Sequence, residues 1–253
     1  MPASFAGRRG GSLLHPSQTQ PNNETALKFP PMDISTLNIP NLEIKRINGI
    51  EFAEATVHLP AWDGYLTKRW ENGREIADGT VTVMFCCNTG SKPEYWEEDV
   101  AAYHNLIEHQ HATRDAIVAH VAANIPDLLG YLDPEEIGVA HLIAAASSDP
   151  RSKIQDPKSP DLRPFIGLRS VAIREDRKDG LAYIDWFLNC TWDDEHGLAA
   201  VTHGTRLIDL DRGEIDIYKI FADNGTLEAE LKEAERYRNQ PKPTPPKPWW
   251  KFW

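Results

Sequence analysis

The sequence predicts an α+β fold in which an antiparallel meander sheet carries a helical segment inserted between its early and late strands. Two observations predict it. Apolar residues alternate with polar ones at period two before residue 90 and again after residue 164, the signature of half-buried strands. Between these stretches the period changes to that of an amphipathic helix. The chain of 253 residues is 41% hydrophobic, enough to bury a substantial core.

The elements follow in order. Residues 1–31 are rich in Gly, Ser, Pro, Asn and Gln and lack apolar periodicity, so a disordered N-terminal extension is expected. A single α+β domain is expected over 32–238. Leu42 to Ile47, the Asn48-Gly49 turn signal and Ile50 to Leu59 read as a hairpin. Pro60 to Gly64 is expected to break it, and Thr80 to Cys86 supplies another strand. From Glu94 to Ile125 the residues Trp96, Val100, Tyr103, Ile107, Ile117, Val118 and Val121 keep to one helical face. Acidic residues crowd its first turns, where the helix dipole favours them. This block is long enough to be two helices broken near Glu108 to Thr113, and Pro126 is expected to close it. Asp133 to Ala145 reads as a short helix and Ser147 to Pro164 as a long loop.

The sheet then resumes. Phe165 to Arg174 and Leu181 to Trp192 form an antiparallel pair, continued by Leu198 to Val201 and Arg206 to Leu210. Ile184, Trp186, Leu188, Cys190 and Trp192 share one face, which should be core. Tyr183, Asp185, Phe187 and Asn189 share the other, which should be partly covered. A charged helix runs from Gly225-Thr226 to about Arg238. Residues 239–253 form a Pro-rich spacer ending in Trp249, Trp250, Phe252 and Trp253, expected to dock on a partner or a membrane interface.

Bulk properties narrow the function. A formal charge of −11 with no basic stripe argues against nucleic-acid binding and favours a protein partner or small ligand. Three cysteines, two of them adjacent, make no disulfide framework and fit reduced thiols in the cytoplasm. No apolar run reaches the length of a membrane span, and Arg8-Arg9 lacks the apolar stretch of an export signal. Nucleophile-elbow, P-loop and dinucleotide fingerprints are missing, and no cofactor is implied.

Two constellations have the residue types of chemistry. Asp193, Asp194, Glu195 and His196 cluster in a turn closed by Gly197, and His203 is placed to approach across the hairpin. Carboxylates and imidazole suit a metal ion or acid/base work, making Asp193, Glu195, His196 and His203 candidate ligands and Glu195 and His196 candidate catalytic groups. The competing readings are turn chemistry, with Asp193 capping and His196 bonding locally, and a binding surface formed by Asp193, Asp194, Glu195 and His196. His104, Glu108 and His111 fall at i, i+4 and i+7, a shared edge only if the helix is unbroken.

The segment Phe187-Leu-Asn-Cys190-Thr-Trp192-Asp-Asp-Glu195-His196-Gly197-Leu198 resembles the Cys-x-Trp-Asp-x-Glu-His-Gly-Leu signature of an uncharacterised bacterial domain family. Pro60 to Tyr65 and Ala101 to Glu108 resemble its earlier segments in the same order. The resemblance covers about residues 40–220. Ala199 stands where the family has a second Gly, and Leu210 to Glu214 replaces a Gly-rich segment. The family carries no activity to transfer. It implies a protein-binding module with an immunity-like, toxin-neutralising role; the alternative is a metal-assisted hydrolase using Asp193, Glu195 and His196.

Overall fold

The computed structural model describes residues 37–47, 50–70, 73–86, 93–129 and 161–239. Seven strands form one sheet: β1 (Leu42–Ile47), β2 (Ile50–Trp70), β3 (Gly73–Phe85), β4 (Ile166–Lys178), β5 (Leu181–Cys190), β6 (Asp193–His203) and β7 (Arg206–Arg212). The helix α1 (Pro93–Leu129) lies between β3 and β4 in the chain, and α2 (Ile217–Asn224) and α3 (Leu227–Asn239) follow β7. The class is therefore α+β, with the helix between early and late strands.

The strands stand in sequence order, but the expected meander is not exact: β3 pairs β4 in parallel, Phe85 opposite Ile173. The physical reason is the helix. A parallel partner needs a long crossover, and α1 lies within it, whereas the other neighbours are joined by short antiparallel turns.

The expected break at Pro60 to Gly64 does not occur. β2 runs through it as one strand of 21 residues, with register shifts between His58 and Asp63 and again before Lys68. Bulges bend a strand without ending it. The bend carries Trp62 over the core, 6.4 Å from Trp186 of β5, with Tyr65 edge-on at 5.0 Å. Leu66 donates its N–H to Arg163 O. The approach is close enough that a Cβ on Gly167 would lie 1.4 Å from Leu66 O.

Nor does α1 break at Glu108 to Thr113 or close at Pro126; it is continuous over 37 residues. Its buried face carries Trp96, Ala102, Tyr103, Leu106, Ile117 and Val121 against the sheet. Gln110, inside the expected break, and Arg114, just beyond it, hold the bent strand: Ala61 N–H donates to Gln110 Oε1 at 3.0 Å, and Arg114 Nη1 donates to Ala61 O at 2.7 Å. Tertiary contacts thus stabilise the turn that the local sequence leaves weak.

The face expected to be core is core: Ile184, Trp186, Leu188, Cys190 and Trp192 all join the main cluster. On the reverse face Tyr183 packs with Val201 and Ile220 of α2. Residues 1–31, the short helix at Asp133 to Ala145, most of the 147–164 loop and the aromatic tail lie outside the described residues. Among the described residues no helix is long and apolar enough to cross a membrane.

Candidate functional site

The turn between β5 and β6 is tighter than the six-residue motif suggests. Cys190 pairs Asp193 across Thr191-Trp192, and the ladder resumes only at Leu188 with Leu198. Asp194 to Gly197 are therefore a bulge. Gly197 adopts φ 68°, and a Cβ there would lie 2.3 Å from Leu188 O, so both conformation and space exclude a side chain.

Asp193 holds this bulge. Its Oδ1 accepts from His196 N–H at 2.9 Å and stands 3.1 Å from His196 Nδ1, while Arg212 of β7 donates to its Oδ2. Arg212 Nη2 is also 3.3 Å from His196 Nδ1, so that nitrogen either donates to Asp193 or accepts from Arg212, according to its tautomer. Burial opposes charge on Asp193, but the His196 N–H and the Arg212 guanidinium outweigh it and hold the carboxyl below the usual range. Glu195 and His196 are exposed. The structure thus joins Asp193 and His196, and adds an arginine that no local pattern in the motif indicates.

His203 does not join them. It stands at the other end of β6, level with Tyr183 where Asp193 is level with Cys190, roughly 23 Å away at ~3.3 Å per residue. There its Nε2 donates to Lys178 O at 2.8 Å and its ring lies 4.8 Å from Tyr183. A cation at Asp193 would have to displace Arg212, and hydrolysis at Asp193, Glu195 and His196 requires that exchange. His104, Glu108 and His111 do share one exposed edge of the unbroken α1. Among the described residues, no three His, Cys, Asp or Glu side chains are grouped to hold a metal ion.

Arg212 also lines an open cleft of about 270 Å³ between β7 and the last turns of α1, with His120, Asn124, Asp127, Leu128, Leu210 and Asp211. The motif bulge is therefore wired to the sheet edge rather than to an enclosed pocket.

Two further polar clusters position elements. Asp223 of α2 accepts from Tyr183 Oη at 2.7 Å, from both terminal nitrogens of Arg206, and from Lys178; Arg206 first among these holds the carboxyl far below its ordinary range. On the same side of the sheet Asp185 accepts from Arg174 at 2.7 Å, yet burial dominates and raises its pKa to about 6. The thiols of Cys86 and Cys190 are free, and burial raises them to about 11 and about 12, so neither is an activated nucleophile.

The exposed face of α1 extends the edge of His104, Glu108 and His111 that their spacing indicated. Glu97, His104, Glu108, His111 and Asp115 are exposed and, at 100° per residue, lie along one ridge roughly 27 Å long. The signal was available in composition: α1 carries Glu94, Glu97, Glu98, Asp99, Glu108, Asp115 and Asp127 against Arg114 alone. Glu98 and Asp99 are used internally, paired with Arg177 of β4 at 2.9 and 2.8 Å.

No curated protein and no solved structure matches the chain. The model of one family, described as "Domain of unknown function (DUF6985)", matches residues 61–217, from the bent half of β2 to the start of α2. With the match spanning α1, the motif bulge and Arg212 alike, the chain belongs to this family of unknown function, DUF6985.

Proposed function

We propose that this protein is a protein-binding module, immunity-like in its logic, that engages a basic protein partner through the outer ridge of α1. The observation that carries the reading is the acidic ridge of that helix: Glu97, Glu108 and Asp115 are exposed in line, and the one arginine of the helix, Arg114, is paired to Asp115 at 2.7 Å. Such a ridge on a rigid element steers a basic partner by long-range attraction and fixes its register. The net charge of −11 adds to the field, and free thiols at Cys86 and Cys190 suit a reducing cytoplasm.

The test pairs capture with charge reversal. The full chain is used as bait in a lysate of its own source, and the captured partner is then titrated against the chain and against a Glu97→Lys, Glu108→Lys, Asp115→Lys variant. All three positions are exposed, so the fold is expected to persist. Association at least about tenfold slower in the variant, with a weaker dependence on salt, is the expected result. Equal rates, or capture of no stoichiometric protein, would discard the reading.

A further inference from the structure

The exposed apolar surface of this chain is concentrated at its C-terminal helices. Of the four large hydrophobic side chains exposed among the described residues, Ile44 is on β1, while Tyr218 (45%), Leu231 (49%) and Tyr237 (63%) are on α2 and α3. Helix α3 buries no residue along its 13 positions. A helix of that length is marginal in water without a packing partner.

The pattern of α3 says what kind of surface that is. At 100° per residue Leu227, Leu231 and Ala234 form one stripe, which Arg238 continues at its C-terminal end, with Tyr237 beside it. Glu228 and Glu235 line one flank of the stripe, and Glu230 and Glu233 the other. Two parallel copies of α3 packed stripe to stripe would set glutamates against glutamates along the flanks and Arg238 against Arg238, which disfavours that arrangement. The stripe fits an apolar segment bordered by cations.

Such a segment follows in the same chain. Residues 241–253 carry Lys242, Lys247 and Lys251, no carboxylate side chain, and the aromatics Trp249, Trp250, Phe252 and Trp253. The spacer Pro241 to Pro248, extended at ~3.1 Å per residue, spans about 25 Å. α3 is about 20 Å long at ~1.5 Å per residue. A reversal after Asn239 therefore lays the prolines along Tyr237 and Leu231 and brings the aromatic end to the α2–α3 junction, where Tyr218 is exposed.

We propose that residues 241–253 are the intramolecular ligand of α3, docking antiparallel along its Leu227–Leu231–Ala234–Tyr237 stripe with the tail lysines beside the flanking glutamates. Attachment in cis places the segment at an effective concentration in the millimolar range, so modest contacts suffice. Proline-rich segments bordered by cations dock on aromatic, acid-flanked surfaces by the same chemistry. Both partners lie outside residues 61–217 of the family match.

The experiment compares the full chain with a full-length variant in which Trp249, Trp250, Phe252 and Trp253 are each replaced by Ser. Amide exchange over 227–239 is expected to be at least about tenfold slower in the unmodified chain. Zero-length coupling of carboxylates to amines is expected to join Lys242, Lys247 or Lys251 to Glu228, Glu230 or Glu235 within a monomer. Equal α3 exchange in the two chains overturns the proposal. So do couplings found only between two copies, and tail-dependent binding to phosphatidylserine vesicles with α3 exchange unchanged.

Discussion

Asp185 shows at single-residue scale how competing terms settle a charge. The Arg174 guanidinium at 2.7 Å favours its ionised form, but the side chain is buried and its Oδ1 has no hydrogen-bond partner among the described residues. Desolvation wins, and the pKa rises to about 6. An unfolded aspartate titrates near 3.9, so the folded state binds its proton more tightly and loses stability as pH rises from about 4 through about 6. Asp185→Asn is therefore expected to gain on the unmodified chain across that window, with Arg174 still paired to Asp176. Urea midpoints at pH 4, 5, 6 and 7 check this; a constant difference between the chains contradicts it. Glycine arguments belong at the same scale. Gly167 lies under the backbone of Leu66, where a methyl group would overlap the carbonyl oxygen, so Gly167→Ala must move a strand. A loss of about 4 kcal/mol or failure to fold is expected, against less than about 0.5 kcal/mol at an open exposed site. Gly197 was legible from the motif as the residue that closes the turn, whereas Gly167 was not, because its constraint comes from Leu66, about a hundred residues earlier.

At the scale of elements, β2 and α1 are each longer than local pattern predicts, and each supports the other. Pro60 to Gly64 reads as a break because Pro and Gly end ladders. Gln110 and Arg114 bind both backbone groups of Ala61, so the chain bends there and stays paired. Glu108 to Thr113 reads as a break in a block long enough for two helices, yet its Gln110 supplies one half of this clamp and Arg114, just beyond, the other. Gln110→Ala leaves the Ala61 N–H without that acceptor in a buried site and is expected to cost about 1–3 kcal/mol. Chemical denaturation measures it, and a change under about 0.5 kcal/mol would show that the clamp is dispensable. The existence of the strands and of the helix was readable from periodicity. The helix α2 was not, since its eight residues bury only Ile220 and it is held mainly by Asp223 and by the Asp209–Lys219 and Asp216 contacts.

At the scale of the molecule, the bent β2 closes the core over β4 and β5 while α1 covers the same face, and Trp62 is the residue common to that closure. Its replacement by Ala is expected to cost about 3–5 kcal/mol. Exchange of α1 and of β5 amides should accelerate together, because both pack on one cluster. Protection lost in one element alone would contradict a shared core. By itself the sequence determined the α+β class, the buried face of β5, the acidic balance and the family, because these depend on local periodicity, composition and a contiguous motif. The tertiary structure decided that β3 and β4 run parallel, that β2 continues through its apparent break, and that Asp193 is held by Arg212. It also separated His203 from the motif and aligned the acidic ridge on one unbroken helix. Each of those outcomes depends on groups distant in the chain meeting in space, and no local spacing encodes such a meeting.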